Sequence, residues 1–351
     1  MSLDGSPRIL ITRVSAVGDC ILTLPMLCAL RQNYPDAMLA WVAEPGPAQL
    51  LDGHPDLDQL IVAPKGWLQS PATILQLRKQ LRQLRIETVL DPQSLTKSSA
   101  LGWLSGARRR IGFARPRGRE LACWLNRENH TATALHIVDA QLELLKRLDV
   151  ASSRVEFRLP TDPAAEQVVD QFLRQAHLGQ GFVVLNPGAG WKSRVWPAEH
   201  YGLLARALGE QLNIPSAVVW SGDEERCAAQ RIREKSAGHA ILAPRTNLRE
   251  LAALLERARL FVGSDTGPLH LAGAVGTQCV GLYGTTHPSA SGPYGETHQV
   301  VQAYFQEYRR SRARRRASND AMQAITPDRV FARCRDLLSD AQHRANDVEA
   351  A

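Results

Sequence analysis

Residues 8–30 read RILITRVSAVGDCILTLPMLCAL. An apolar run, Ile9–Val14, ends in a polar turn holding Gly18 and Asp19, and a helix-length apolar stretch begins near Ile21. Short Val/Ile/Leu runs bounded by turn residues read as strands buried on both faces, which belong to parallel sheets covered by helices. Met38–Val42, Gln59–Val62 and Thr88–Leu90 repeat the pattern in the first half. Phe182–Leu185, Ala217–Trp220, Ala240–Leu242, Leu260–Val262, Gln278–Tyr283 and Gln299–Val301 repeat it in the second. Amphipathic stretches separate the runs, and such alternation builds βαβ units and doubly wound sheets. The 351 residues allow two domains at roughly 150 residues each. The dividing segment is Leu159-Pro160-Thr161-Asp162-Pro163, after which Ala164–His177 reads as a helix.

Composition narrows the function classes. Hydrophobic residues make up 44% and charged residues 22%, which excludes wholesale disorder and fibrous architecture. The formal net charge of +7 favours anionic partners without choosing among them. No run of 18 apolar residues occurs, so no membrane-spanning helix is expected. The brief first apolar run, with Asp4 and Asp19 around it, argues against a signal peptide. Six cysteines without a CxxC suggest a reducing compartment, and the ten histidines show no metal-ligand spacing. Asp56-Leu57-Asp58 resembles a DxD metal motif but precedes a strand, so it is expected on the surface. The tract Arg309–Arg316 (RRSRARRR) is expected to be a solvated surface segment before a last helix, with Thr326 as its cap and Pro327 in its first turn. No RRM, KH or helix-turn-helix signature accompanies the tract, so nucleic acid is not an expected partner.

Ligands of open α/β sheets bind beyond the carboxyl ends of the strands. Asp19 follows the first strand, where a carboxylate serves either as a general base or as a helix cap. Asn186–Pro197 (NPGAGWKSRVWP) combines small residues, which expose backbone amides, with Lys192 and Arg194. That suits a phosphate or a solvated turn, and it fits neither the P-loop nor GxGxxG. Gly263–His270 (GSDTGPLH) gathers hydroxyls, helix-start amides and an imidazole, with a helix expected over Leu271–Val275. Asp223, Glu224 and Glu225 follow another strand and suit either ribose hydroxyls or a helix start. Tyr283–Pro288 forms one further strand-end turn.

Taken together and in order, these segments resemble glycosyltransferase family 9, the ADP-heptose:lipopolysaccharide heptosyltransferases. Arg8–Leu30 is similar to its opening strand and Gly-Asp turn. Asp91–Ser98 (DPQSLTKS) is similar to its D-x-Q-x-x-x-K-S segment, and Asn186–Pro197 to its phosphate loop. Gly263–His270 is similar to its D-T-G-x-x-H loop, and Thr326–Leu338 to its closing helix. The resemblance implies an α/β protein of GT-B fold, with two Rossmann-like doubly wound domains facing a central cleft. Residues 1–160 would bind the acceptor and 161–325 the nucleotide-sugar donor, with the helix 326–345 packing back on the first domain.

It further implies an inverting, metal-independent transfer of heptose from ADP-heptose to a Kdo or heptose hydroxyl of the lipopolysaccharide inner core. No cofactor and no metal are implied. Asp19 would be the base. Gly188, Glu224, Asp265, Thr266, Gly267 and His270 would meet the donor, with Lys192 or Arg194 on its diphosphate. The family's lysine lies two residues before Trp-Pro; here Arg194 holds that place, so either cation remains open. Among Asp223, Glu224 and Glu225 the ribose contact also stays open, with Glu224 favoured. Lys97 and Arg119 would meet an anionic, lipid-linked saccharide acceptor, at a cytoplasmic location peripheral to the inner membrane. The alternative is a GT-B enzyme using another nucleotide sugar and acceptor in cell-envelope glycan synthesis.

Overall fold

The computed structural model describes residues 6–150, 154–179, 181–308 and 311–349; for 311–312 and 340–349 it describes the backbone alone. Two compact units divide between Thr161 and Asp162. In the first, β1 (Arg8–Thr12), β2 (Met38–Ala43), β3 (Gln59–Val62), β4 (Thr88–Asp91), β5 (Arg109–Phe113) and β6 (Glu128–His130) form one sheet in the order β3-β2-β1-β4-β5-β6. In the second, β7 (Val183–Asn186), β8 (Ser216–Val218), β9 (Ala240–Leu242), β10 (Leu260–Ser264), β11 (Cys279–Tyr283) and β12 (Gln299–Gln302) run β12-β11-β10-β7-β8-β9. Every pairing is parallel. Counted from each unit's first strand, both sheets have the Rossmann order 3-2-1-4-5-6.

All ten strands expected from apolar runs form, with ends shifted by at most two residues. β5 and β6 escape that reading because Arg109, Arg110 and Glu128 interrupt the apolar signal. Arg110 is nevertheless buried, its guanidinium donating to the carbonyls of Leu125 (2.8 Å) and Ala107 (2.7 Å). The second unit opens with the helix Pro163–Gln175, where Asp162 accepts the Ala165 amide at 3.1 Å and Pro163 fills the first position.

Leu10, Val42 and Val89 build the first core with Leu101 and Leu104 of the helix Thr96–Ser105. Gly102 lets that helix lie on β4, since a Cβ there would stand 3.0 Å from the Val89 side chain. In the second core Val183, Leu185 and Val262 pack with Trp196 and Tyr201. The closing helix, Pro327–Glu349, sends Val330, Cys334, Leu337 and Leu338 into this second core. Its described side chains thus belong to the second unit, which corrects the expectation that 326–345 packs on the first. Apolar residues three and four apart set which face is buried, but not which sheet receives it.

Asp56 is also corrected. It is buried and paired with Arg158 at 3.0 Å, whereas Asp58 is exposed and pairs with Arg31. Cys28, His54 and Asp56 form a cluster of metal-ligand type that spacing did not reveal. Its donors are already committed: His54 Nε2 lies 2.9 Å from the Arg158 carbonyl, and His54 Nδ1 accepts the Asp56 amide. Burial lowers the His54 pKa and pushes the Cys28 thiol up to about 12. The cluster therefore ties the segment leading to the domain boundary onto the first unit.

Behind β6, buried Glu143 accepts from His130 (2.9 Å), the Thr133 amide and hydroxyl (2.9 and 2.6 Å) and the Ala134 amide (2.9 Å). Burial opposes its charge, but these donors prevail and bring its pKa from 4.5 to about 2. A depressed carboxylate stabilises the fold above its unfolded pKa and loses that contribution as pH falls toward the folded one. Glu143→Gln should therefore cost about 2–3 kcal/mol at pH 7. The difference from wild type should shrink between pH 4.5 and 2. Denaturant melts across that range check it; a difference independent of pH would remove Glu143 as the cause.

Candidate active site

In each Rossmann sheet the strand order reverses beside the first strand, and the crevice at that point is where ligands bind. In the first unit this point lies between β1 and β4, and in the second between β7 and β10. The polar motifs fall at these positions in both units.

Asp19 sits in the first turn of the helix Val17–Ile21, just after β1. Its Oδ2 accepts the Ala16 amide at 3.1 Å, and its Oδ1 lies 2.7 Å from Arg13 Nη2. Buried Arg13 also donates to the Pro92 carbonyl, beyond β4, at 3.0 Å. Asp19 thus caps the helix and is still open to solvent, with 46% of its side chain exposed. The cap and the ion pair aim a carboxylate that keeps room for a substrate hydroxyl.

Lys97, at the start of the helix Thr96–Ser105, pairs with Glu44 at 3.0 Å and donates to the Ser15 hydroxyl. Gln93 accepts the Val14 amide at 2.9 Å. Arg119 is exposed, and its amide donates to the Ser94 carbonyl just before this helix. Sequence reasoning missed Arg13, Glu44 and Gln93 as site residues. Glu44 directly follows β2, so the strand-end rule applied to β2 would have found it. Asp91, which opens the D-x-Q-x-x-x-K-S segment, serves the scaffold. It is fully buried and takes hydrogen bonds from the Ser94 amide and from the Ser99 and Asn126 side chains.

In the second unit the loop after β7 turns back on itself through Asn186, whose side chain donates to the Gly188 carbonyl at 3.2 Å. The backbone at Gly188 runs so close to the Glu225 carboxylate that a Cβ would overlap it. Glu225 also accepts the Ser221 amide at 2.7 Å, and burial raises its pKa. Glu224 is exposed and makes no such approach. Of Asp223, Glu224 and Glu225, it is Glu225 that lies against the loop after β7, because successive helical positions point in different directions.

The structure also separates the two cations. Arg194 is mostly buried and grips Asp265: Nη2 lies 3.1 Å from its Oδ2, and Nη1 donates to its carbonyl at 2.6 Å. His270 lies 3.2 Å from Asp265 Oδ1. Burial works against the Asp265 charge, yet the His270 hydrogen bond and the Arg194 charge hold its carboxyl below the usual carboxylate range. Asp265 and His270 thus brace the loop from within. His270 lies inside the helix Gly267–Ala274, which starts earlier than the expected Leu271. Thr266 and Gly267 stand partly exposed at that helix's N-terminus, where amides favour an anion. Lys192 is exposed and forms no ion pair among the described residues.

Arg309 and Arg310 lie outside the described residues. The rest of the tract forms the helix Ser311–Arg316, which is not a plain solvated segment. The guanidiniums of Arg314 and Arg315 stand 4.9 and 5.0 Å from the Trp191 ring centroid, and that of Arg194 stands at 4.0 Å. Each of the three guanidiniums is drawn to the indole face.

Two Rossmann-ordered units with polar loops at their switch points are the architecture of the GT-B fold. The chain belongs to glycosyltransferase family 9: the model for glycosyltransferase family 9 (heptosyltransferase) matches residues 74–320. It is 28% identical over 310 residues to lipopolysaccharide heptosyltransferase 1 of Escherichia coli K12, covering 84% of this chain and 93% of that one. Lipopolysaccharide heptosyltransferase 1 of Pseudomonas aeruginosa is also 28% identical, over 83% of this chain and 82% of its own length. Among solved structures, E. coli heptosyltransferase WaaC with ADP-2-deoxy-2-fluoro heptose is 25% identical with a TM-score of 0.74, over 94% and 99% of the two chains. A family 9 glycosyltransferase from Veillonella parvula shares the fold with a TM-score of 0.80 at 22% identity, over 97% and 99% of the chains.

Proposed function

We propose that this glycosyltransferase moves heptose from ADP-heptose to a Kdo or heptose hydroxyl of the lipopolysaccharide inner core, with inversion and without a metal. The observation that carries the chemistry is Asp19, a half-exposed carboxylate aimed by the Ala16 amide and Arg13. The donor and acceptor classes follow from what the relatives' names state. Asp19 takes the proton of the acceptor hydroxyl, and that oxygen attacks the anomeric carbon from the face opposite the diphosphate. The bond from the anomeric carbon to the diphosphate oxygen breaks, and its electron pair leaves with ADP. Charge developing on ADP is met by Lys192 and by the amides opening the helix Gly267–Ala274. Glu225, ordered over the loop, accepts from the donor ribose.

The acceptor is lipid-linked on this reading, so the protein works at the cytoplasmic face of the inner membrane as a peripheral enzyme. Among the described residues no helix is long and apolar enough to cross a membrane.

Calorimetric titration with ADP, UDP and GDP in EDTA tests the donor assignment. Selective ADP binding, followed by turnover of ADP-heptose on a Kdo-lipid acceptor in EDTA, is expected. Preference for UDP or GDP would transfer the function to another sugar donor. The arginine tract gives a further prediction. The double variant Arg314→Ala/Arg315→Ala should weaken ADP binding roughly tenfold, the loss of two charge-assisted contacts in part screened by solvent. Unchanged affinity would make their approach to Trp191 purely a packing contact.

A further inference from the structure

The first unit carries a surface that the transfer chemistry does not use. The helix Ala122–Leu125 runs alongside Thr96–Ser105. At one end the Leu121 amide donates to the Thr96 hydroxyl at 3.2 Å; at the other, Arg110 links the carbonyls of Leu125 and Ala107. Three large apolar side chains project here into solvent: Trp124 is 84% exposed, Leu121 58% and Trp103 56%. Isolated exposed apolar residues are ordinary, but a group of this size marks an interaction surface.

Beside them lies a cavity of about 250 Å³ lined by Arg78, Arg82, Arg110, Arg127, Trp103, Leu104 and Gly106. No carboxylate lines it. Burial, together with the neighbouring charge of Arg127, lowers the pKa of Arg110. Between Arg108 and Glu128 seven arginines stand against two carboxylates, Glu120 and Glu128, of which Glu128 pairs with Arg109 at 2.9 Å. Arg110 is committed to its two carbonyls, and the guanidiniums of Arg78, Arg82 and Arg127 around the open cavity invite phosphate oxygens. Exposed indoles beside cationic side chains suit a bilayer interface, where the ring enters the headgroup layer and the charge meets anionic lipid. The face is also continuous with the acceptor end of the unit. Thr96, which holds Leu121, precedes Lys97, and Arg119 bonds through its amide to the Ser94 carbonyl nearby.

We propose that the face formed by the helices Thr96–Ser105 and Ala122–Leu125 docks on an anionic phospholipid bilayer. Its arginine cavity seats lipid phosphates, while Leu121 and Trp124 enter the interfacial layer. The inference rests on the peripheral-membrane reading above and names the surface responsible. Docking here delivers a lipid-anchored acceptor to Lys97 and Arg119 along the membrane plane.

The test is sedimentation of the full chain with vesicles of phosphatidylglycerol and phosphatidylethanolamine, against vesicles of phosphatidylcholine alone. Wild type should partition at least tenfold more strongly to the anionic vesicles, and less so as salt is raised. Leu121→Ser/Trp124→Ser and Arg78→Glu/Arg82→Glu should each lose at least tenfold of that binding. A thermal unfolding transition of the first unit, followed by its tryptophan and far-UV signals and unchanged from wild type in both variants, would show that they fold. If wild type binds and both variants bind equally well, the membrane reading stands and this face is wrong. If wild type binds neither vesicle, both fall. Sugar transfer to a delipidated acceptor tests the enzymatic reading separately, since the variants should perform it at the wild-type rate.

Discussion

Asp19→Asn is expected to reduce turnover by on the order of 10²–10⁴ while donor affinity stays within a few-fold of wild type. The amide keeps an oxygen for the Ala16 hydrogen bond that Asp19 now accepts at 3.1 Å. It removes the charge beside Arg13 and the capacity to take a proton. Arg13 retains its bond to the Pro92 carbonyl, so the loop keeps its anchor. A positioning role alone would be preserved by asparagine; a base role would not. Steady-state kinetics with saturating donor, together with calorimetric ADP affinity, separate the two. Turnover within a few-fold of wild type would end the assignment of Asp19 as the base.

The second large effect is on stability and falls on Arg194. Its guanidinium is mostly buried and is the main counter-charge of Asp265, whose side chain is only 6% exposed. Removing one partner of a buried pair strands the other charge, at a cost of about 3 kcal/mol or more. Arg194→Ala should therefore lower the melting temperature by several degrees and weaken donor binding through a disordered loop. Lys192→Ala should weaken donor binding by about tenfold with no change in melting temperature, because Lys192 is exposed. The pH dependence follows from the lowered pKa of Asp265. A depressed carboxylate contributes stability above its unfolded pKa and loses it as pH falls through the folded value. The gap between wild type and Arg194→Ala should thus be full at neutral pH and close in acid below the usual carboxylate range. Equal melting temperatures at pH 7 would show that Arg194 is not the brace described here.

Much of the candidate site was legible because its residues lie at strand ends. Asp19 and Lys97 are close in sequence to β1 and β4, and Lys192, Thr266 and Gly267 to β7 and β10; within each unit the doubly wound order brings its own pair of strand ends side by side. The approach of Glu225, not Glu224, to Gly188 was not legible, because adjacent helical positions point about 100° apart and a strand-end rule resolves segments but not side-chain directions. The arginine tract read as solvated because a run of like charges carries no sign of a partner. Its partner, Trp191, is more than a hundred residues away. The pairing of Cys28, His54 and Asp56 with Arg158 was hidden for the same reason.

By itself the sequence determined the alternation of strand and helix, the division near Thr161 and the polar loops after the strands. Those are local matters of apolar periodicity, proline and small residues, each resolved within a dozen positions. Only the tertiary structure decided which charges neutralise one another: Arg13 with Asp19, Lys97 with Glu44, Arg194 with Asp265. It also decided that the last helix joins the second core and that Glu225 lies on Gly188. These depend on sheet order and helix docking, which set distances between residues far apart in the chain. A charge's role follows from what it meets in the folded protein, and the local pattern around it does not reveal that partner.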